Sequence, residues 1–519
     1  MADALADRIE AALAWYVPQV LSVTRTPGVT VAFSTDRTNV RQLGYGFENV
    51  ALSTRMLPSA PMPVGSISKL CVAIAVMMLV EQGRLDLDAP LQDAGVDVSN
   101  PLSGPPVTLR SLLTHESGLR TDTFEASWDE PPRLRDFLAS AYKDGRAPEY
   151  GGVTQRWAAP VSGRYQYSSL GLATAARAVE AAVGCSFAQY ATENIFRPLR
   201  MLSAFPPADG FRGDAWDYLG ARLATGYYRL GKRWFPWPRL ASATAPATGM
   251  ITTAAGPTLL LNALISNALV RAETVEAMTA SPVEQQFPGF RVRKYMGLSV
   301  EVCNLGTEGE YIGHGGAYPL GWWSEARAYR SAGTVTVIAN VWDGTRHYNP
   351  GDRIAPGLIA DFIGKCMLSG AAPDEPRATR SYAMGLMVAD RFALLGLGVP
   401  PPADVIARML HGTRAIPDTP EPERFAPDEF MDGFMALQAA GVTAEEERAF
   451  LASDDCRIGP EALALLALDW GTSGAELPLP VGYFADRVED HPWLTRKSET
   501  ADEASPLDAA EAEPDEPSP

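Results

Sequence analysis

Residues 61–83, PMPVGSISKLCVAIAVMMLVEQG, decide the fold of this chain. Eleven apolar residues follow Lys69 without interruption. The helix that they predict is apolar on every face, so it must be buried inside a domain. It is too short to cross a bilayer, and Gly83 provides its C-terminal stop. Its first turn is polar and contains Ser66, Ser68 and Lys69. Polar side chains are therefore expected at the N-terminal end of a buried helix.

Ser66 and Lys69 are three residues apart, so on a helix their side chains share a face and can meet. Free backbone N–H groups gather at a helix N-terminus, where they favour developing negative charge. A lysine at the edge of an apolar core loses solvation, which favours its neutral, proton-accepting form. The spacing therefore predicts a nucleophile and its base. A serine N-cap followed by a lysine that extends to solvent would produce the same pattern.

The chain has 519 residues, enough for a large core and for two or three domains. Its composition, 46% hydrophobic and 20% charged, is that of a soluble globular protein. The formal net charge of −18 argues against nucleic acid or an anionic membrane as a partner. Residues 496–519 hold eight acidic and two basic residues, a net −6, which leaves −12 for the other 495 residues.

The five cysteines form no C-x-x-C pair, which predicts free, buried thiols and a reducing compartment. The N-terminus, MADALADR, lacks the charged-then-apolar pattern of a signal peptide. We therefore expect a cytoplasmic protein, or a periplasmic one if a leader has been removed. The chain also lacks a P-loop, a Rossmann glycine run and histidines at metal-ligand spacing, so we expect no cofactor and no metal.

Strand patterns lie at both ends of residues 1–370, and helical patterns lie between them. A hairpin is predicted near residues 29–47, ahead of the buried helix, because its first arm is rich in β-branched residues. Further strands are predicted at 296–303, 310–318, 321–329 and 332–342. Strands and helices that are segregated in this way indicate an α+β fold with an antiparallel sheet.

Residues 371–376, AAPDEP, read as a linker that ends this first domain. Residues 371–495 are predicted to form a mostly helical C-terminal domain. We expect it to pack beside the first domain as a lid or wall, because the linker is short. Residues 496–519 are acidic and poor in apolar side chains, so they are predicted to be a disordered tail.

Two further motifs could supply chemistry. Tyr167 lies in YQYSSLG, residues 165–171, at the predicted start of a helix, and a tyrosine beside a lysine can relay a proton. His314 lies in IGHGGA, residues 312–317, where clustered glycines let another backbone approach a strand closely. Taken singly, Tyr167 is more typical of a core residue and His314 more typical of an ordinary polar residue.

The order Ser66-x-x-Lys69, Tyr167-Ser168-Ser169, His314-Gly315-Gly316 resembles the serine β-lactamase and penicillin-binding superfamily. It is most similar to the branch of class C β-lactamases, D-alanyl-D-alanine carboxypeptidases, D-aminopeptidases and family VIII esterases. The resemblance covers about residues 25–368. Supporting stretches are Pro27-Gly28-Val29, Val64-Gly65-Ser66, Leu109 to Leu119, Leu223 to Tyr227 and Ala247 to Thr253.

This resemblance implies an antiparallel sheet flanked by helices, together with an all-helical lobe. It implies that Ser66 is the acylated nucleophile and Lys69 its base. Tyr167 would be the second proton-transfer group, and His314 would take the place of the Lys or His of the third motif. The backbone N–H groups of Ser66 and Ala317 would form the oxyanion hole.

Three further residues are implied in substrate binding, with one departure from the family pattern. Gly315 and Gly316 would open room for the substrate. Ser169 stands where most relatives have asparagine, and its shorter hydroxyl is less suited to a penicillin-like acylamide. A third motif that begins with histidine, as in many D-peptidases, favours peptide or amide hydrolysis.

The resulting expectation is a serine hydrolase that cleaves small peptides or amides through an acyl-enzyme, including ones with D-residues. A carboxylesterase or acyltransferase on the same site is the alternative. A non-catalytic β-lactam-binding or structural relative is a second alternative. The expected partner is a small molecule or short peptide.

Overall fold

The computed structural model describes residues 2–372, with gaps at 25, 103, 121–124, 128–130, 143–156, 162–163, 231–232, 238, 281–282, 285–293, 319–320 and 343–354. The segments 373–495 and 496–519 lie outside the described residues. The predicted helical C-terminal domain and acidic tail therefore stay predictions.

The described helices lie at both ends of this range and in a central block. They are α1 (Ala2–Thr24), α2 (Ser68–Glu81), α3 (Leu109–Leu113), α4 (Leu134–Tyr142), α5 (Ser169–Val183), α6 (Phe187–Ala191), α7 (Asp214–Ala221), α8 (Ala245–Thr248), α9 (Ala255–Ile265), α10 (Ala272–Thr279) and α11 (Ala355–Ser369). Short 3₁₀ turns span Gly65–Ile67 and Leu91–Ala94, and a π-helical turn spans Thr192–Phe196.

The described strands are β1 (Gly28–Ser34), β2 (Arg41–Asn49), β3 (Thr54–Arg55), β4 (Met62–Pro63), β5 (Glu125–Ser127), β6 (Ser203–Ala204), β7 (Tyr227–Leu230), β8 (Arg233–Pro236), β9 (Leu240–Ser242), β10 (Ile251–Thr252), β11 (Val283–Glu284), β12 (Lys294–Met296), β13 (Glu301–Cys303), β14 (Tyr311–Tyr318), β15 (Trp322–Tyr329), β16 (Gly333–Ala339) and β17 (Val341–Trp342). Nine of them form the main sheet, in the order β11-β12-β13-β14-β15-β16-β1-β2-β3.

The main sheet is antiparallel, and it joins strands from both ends of the described chain. β1 pairs with the late strand β16, with Val31 opposite Val337, and with its hairpin partner β2. The predicted hairpin and the predicted α+β class are thus confirmed. Long-range pairing of β1 with β16 joins an early and a late part of the described chain in one sheet.

Each face of the sheet is covered by a different set of helices. Along β1, Val29, Val31 and Phe33 belong to the core cluster that includes α1 and α11. Ala32 points the other way, into the larger cluster that includes α2 and α5. This alternation follows from the two-residue period of a strand. The central sheet is therefore buried on both sides.

The helix predicted from residues 70–80 is the core of the helical lobe. From Ser68 to Met77 every residue of α2 is buried, and α2 packs against α5 and α8. Gly83 has the left-handed conformation (φ 66°) that ends a helix at this position. Among the described helices none is by itself long and apolar enough to cross a membrane; Ser169–Val183 and Phe187–Phe196 meet that requirement only when counted together across an 81° bend.

One predicted strand was wrong. The sequence pattern indicates a single strand over 296–303, but the structure has β12 and β13 joined by a turn. In this turn Leu298 N–H donates to Met278 O (2.8 Å), and Ser299 N–H donates to Leu113 O (2.9 Å). Ser299 is left-handed, with φ 57°. Contacts with α10 and α3 thus pull the segment out of the sheet.

Candidate active site

Ser66 lies in the 3₁₀ turn Gly65–Ile67, directly before α2, and it is 8% exposed. Two contacts fix this turn: Val64 N–H donates to Met250 O (3.1 Å), and the Ser68 hydroxyl donates to Gly65 O (2.6 Å). Gly65 has φ 53°, and a Cβ there would lie 2.5 Å from Ala317 O. Only glycine fits here, because the backbones of the turn and of β14 nearly touch.

Lys69 is fully buried, and its Nζ makes three hydrogen bonds. It lies 2.9 Å from Ser66 Oγ, 3.1 Å from Ser169 Oγ and 3.0 Å from Ala247 O. None of these partners is a carboxylate. Burial lowers the pKa of Lys69 to about 7, against the opposing charge of Glu301. The amine can therefore exist in its neutral form near physiological pH.

Tyr167 lies just before α5 and contacts Ser66. Its hydroxyl lies 2.7 Å from Ser66 Oγ. Lys69 Nζ lies 4.9 Å from the centre of the tyrosine ring. The serine oxygen therefore contacts two groups that can move a proton, one an amine and the other a phenol.

His314 lies on β14 and is 2% exposed. Its Nδ1 is 2.5 Å from Gly315 O and 3.9 Å from Glu301 Oε1. Both neighbours are acceptors, so Nδ1 carries the proton of the neutral ring. Burial lowers the pKa of His314 to about 4, with Glu301 opposing and Lys69 adding to the shift.

A buried ion pair supports this part of β14. Glu301 accepts a hydrogen bond from Gly315 N–H (3.0 Å) and lies 2.5 Å from Lys294 Nζ. Lys294 and Glu301 are 5% and 4% exposed. Because Lys294 neutralises the carboxylate, Glu301 can hold the strand without leaving an uncompensated charge beside His314.

The edge of β14 beyond Gly313 faces the serine turn. β13 pairs with β14 only as far as Gly313, whereas β15 pairs with it along residues 312–318. Gly315 N–H points to the β13 side, where it reaches Glu301. Since backbone direction alternates along a strand, Ala317 N–H points to the same edge. A Cβ at Gly316 would lie 2.0 Å from Val64 O, which shows how closely the turn lies against the strand.

The structure brings most of the predicted site residues together. Ser66, Lys69, Tyr167 and Ser169 are joined by direct hydrogen bonds. The backbone of Ala317 lies against Gly65, next to Ser66. His314 stands farther out: its ring centre is 6.4 Å from that of Tyr167. Gly315 and Gly316 lie on the same strand.

Sequence reasoning missed four contributors, among them Ala247, Lys294 and Glu301, which are described above. The fourth is His115, which is buried and contacts the segment around Tyr167. It lies inside the stretch Leu109 to Leu119, but the sequence pattern gives it no partner at metal-ligand spacing and so no signal of this role. Within the described part of the chain, no group of three His, Cys, Asp or Glu side chains could hold a metal ion.

Solved structures with this architecture include penicillin-binding protein homologues and an amidase. The octameric penicillin-binding protein homologue of Pyrococcus abyssi is 22% identical with a TM-score of 0.56, and the match covers 70% of this chain and 78% of that one. D-amino acid amidase of Ochrobactrum anthropi SV3, complexed with L-phenylalanine amide, is 20% identical with a TM-score of 0.52 and covers 66% and 92%. At these identities the likeness shows the fold.

Curated relatives match parts of the chain. Unguisins hydrolase ungD' of Aspergillus campestris is 26% identical over 231 residues, which are 43% of this chain and 40% of that protein. The human mitochondrial serine beta-lactamase-like protein LACTB is 35% identical over 104 residues, 18% of each chain. The matches thus span less than half the length of these relatives. A family model described as Beta-lactamase matches residues 6–353. The chain therefore belongs to the Beta-lactamase family.

Proposed function

We propose that this protein hydrolyses small peptides or amides through an acyl-enzyme on Ser66. The observation that carries the proposal is the pair of contacts on Ser66 Oγ, from Lys69 Nζ at 2.9 Å and from the Tyr167 hydroxyl at 2.7 Å. A serine becomes a nucleophile when an adjacent group can take its proton. Lys69 is suited to that role, because it is buried and the hydrogen-bond partners of its Nζ are two hydroxyls and a backbone carbonyl.

Acylation would begin when neutral Lys69 takes the proton of Ser66 and Oγ attacks the carbonyl carbon. The resulting oxyanion would lie against the backbone N–H groups of Ser66 and Ala317. Two such donors, held in place before the reaction, stabilise the charge as it develops. The close packing of the Gly65 turn on β14 supports this arrangement, because it holds the two backbones at a constant separation.

The amide leaving group needs a proton, because an amide anion is far too basic to depart. The Tyr167 hydroxyl lies on Ser66 Oγ and so stands beside the scissile bond of a substrate attacked by that oxygen. As the C–N bond breaks, Tyr167 would give its proton to the nitrogen, and Lys69 would return one to Tyr167. The same pair would then remove a proton from the water that cleaves the acyl-enzyme.

An amide or peptide is favoured over an ester because this site contains a donor for the leaving group. The amide bound by the Ochrobactrum anthropi amidase agrees with that preference, and the hydrolase name of the Aspergillus campestris relative agrees with hydrolysis in general. Ser169 Oγ, at 3.1 Å from Lys69 Nζ, is in place to orient the lysine although it is shorter than asparagine.

The test is labelling with a fluorophosphonate, followed by peptide mass spectrometry. We expect a single adduct on Ser66, lost in Ser66→Ala and slowed by several orders of magnitude in Lys69→Ala. A panel of D- and L-aminoacyl p-nitroanilides, short peptides and p-nitrophenyl esters then identifies the substrate class. Melting temperatures close to wild type would show that both variants are folded. Substantial turnover by folded Ser66→Ala would overturn the assignment.

A further inference from the structure

His115 lies in the turn that follows α3, and its side chain is fully buried. Its backbone has φ 62°, a left-handed conformation that a residue with a bulky side chain rarely adopts. Such a conformation persists where the surrounding structure requires it. Here it coincides with contacts that the backbone and the ring of His115 both make to the segment 165–168.

His115 holds the chain on both sides of Tyr167. Gln166 N–H donates to His115 O at 2.6 Å, and Ser168 N–H donates to His115 Nδ1 at 3.0 Å. Between these two bonds, the imidazole ring lies 4.4 Å from the Tyr167 ring, centre to centre, at 34°. The Tyr165 ring meets the imidazole edge at 5.8 Å. His115 thus fixes the backbone before the tyrosine through its own carbonyl, and its imidazole fixes the backbone after the tyrosine and supports the Tyr167 ring.

The hydrogen bond from Ser168 also defines the protonation state of His115. Because Nδ1 accepts, the neutral ring carries its proton on Nε2. A second proton on Nδ1 would break the bond to Ser168 N–H. Burial lowers the pKa of His115 well below its ordinary value, and the nearby Lys69 and His314 lower it further against the opposing Glu301. The ring therefore stays neutral across the physiological range.

We propose that His115 is a positioning residue for Tyr167. Through two hydrogen bonds with backbone N–H groups and one ring contact, His115 keeps the Tyr167 hydroxyl within hydrogen-bonding distance of Ser66 Oγ. The proposal rests on the proposed role of Tyr167 as proton donor to the leaving group. The hydrogen bonds and ring contacts of His115 described above are made to the segment 165–168. It acts through the placement of a hydroxyl that lies 2.7 Å from the nucleophile.

Two substitutions separate the contacts. His115→Phe keeps a ring against Tyr167 but loses the acceptor for Ser168 N–H. His115→Asn keeps an acceptor close to the position of Nδ1, and asparagine tolerates positive φ, but it loses the ring. Glu116→Gln is a matched control on the same turn, because Glu116 Oε2 meets Thr114 Oγ1 (2.7 Å) rather than the 165–168 segment.

The kinetic test compares a leaving group that needs a proton with one that does not. Displacement by about 1 Å costs on the order of 10²-fold in rate, so His115→Phe should lower kcat for a p-nitroanilide by that factor with little change in KM. Fluorophosphonate labelling, which expels fluoride, should stay within about threefold of wild type. His115→Asn should recover to within roughly tenfold, and Glu116→Gln should match wild type.

A crystal structure of each variant gives a readout that needs no substrate. In His115→Phe the Tyr167 hydroxyl should move out of hydrogen-bonding distance of Ser66 Oγ, and in His115→Asn it should stay within it. An unchanged tyrosine in His115→Phe, or equal loss of labelling and anilide turnover, would overturn the positioning role. Failure of wild-type Ser66 to react with fluorophosphonate would instead overturn the proposed function, while the structural comparison would still decide the placement of Tyr167.

Discussion

At the scale of single residues, burial changes the acid–base behaviour of Lys69. Its amine has no exposed surface, and its three hydrogen-bond partners are two hydroxyls and a carbonyl. Lysine in such a place loses the hydration that stabilises its charge, so its pKa falls to about 7. The same apolar helix that builds the core of the lobe thereby prepares a base beside Ser66.

The reactivity of Ser66 should follow the ionisation of Lys69. Deprotonated Lys69 is the competent base, so the rate of fluorophosphonate labelling should rise about tenfold per pH unit below 7 and level off above it. His314, with its pKa lowered to about 4, should add no further change above pH 5. A labelling rate that is flat between pH 5.5 and 8.5 would contradict a lysine base of this kind.

Ser169 should limit the reaction with penicillin-type amides. In Ser169→Asn the longer side chain could reach both Lys69 and the acylamide of the antibiotic. One added hydrogen bond contributes on the order of 1 kcal/mol, or roughly fivefold in the acylation rate by benzylpenicillin. The rate is measured by competition with fluorophosphonate. No gain in a variant with wild-type melting temperature would mean that other residues limit β-lactam recognition.

At the scale of elements, the site depends on three neighbouring strands of the main sheet. β12 supplies Lys294, β13 supplies Glu301, and β14 carries His314 and the glycines that face Ser66. The lysine and the glutamate are both buried and in contact. An ion pair in this position contributes mainly by holding Gly315 N–H, since bringing two charges out of water offsets much of their attraction.

Lys294→Met should destabilise the protein strongly. It leaves Glu301 buried without its cation, a change that costs about 3–5 kcal/mol for a pair of this type. The double variant Lys294→Met/Glu301→Gln should recover part of that loss, because glutamine is neutral and can still accept from Gly315 N–H. Urea denaturation measures the free energy of unfolding of the single and the double variant. A free energy of unfolding of the single variant within about 1 kcal/mol of wild type would contradict a charged Glu301 that depends on Lys294.

At the scale of the whole molecule, the two ends of the described chain meet on one face of the main sheet. α1 and α11, from the two ends of the described chain, pack on each other and on the sheet face opposite the helical lobe. The catalytic candidates lie between the lobe and the edge of β14. All the proposed chemistry is thus contained in residues that precede the predicted 371–376 linker.

A chain that ends at Gly370 should therefore fold and keep Ser66 reactive toward a small fluorophosphonate. Its selectivity toward larger substrates, or its solubility, should change if residues 371–495 cover one end of the cleft. Equal handling of small and large substrates by a soluble chain that ends at Gly370 would show that residues 371–495 are an independent module.

Removing only 496–519 should alter neither the melting temperature nor the rate, because this acidic segment has little apolar surface to bury.

Several features could be predicted because their causes are local. The buried helix follows from its unbroken apolar run, and the approach of Lys69 to Ser66 follows from three-residue spacing on a helical turn. The α+β class follows from the segregation of strand and helix patterns. Tyr167 and His314 could be predicted only from the order of three motifs and its resemblance to a family, because no local rule singles them out.

Other features depend on contacts between residues far apart in sequence. Periodicity cannot show that residues 297–300 leave the sheet, because Met278 and Leu113 draw them out through backbone hydrogen bonds. It cannot show that His115 faces the segment around Tyr167, or that Lys294 neutralises Glu301. Spacing along the chain specifies which side chains share one helix or strand, whereas packing between elements specifies which of them meet. The proposed base, Lys69, could therefore be predicted from the four residues 66–69. The groups that hold Tyr167 and β14 could not be predicted, because they come from other elements.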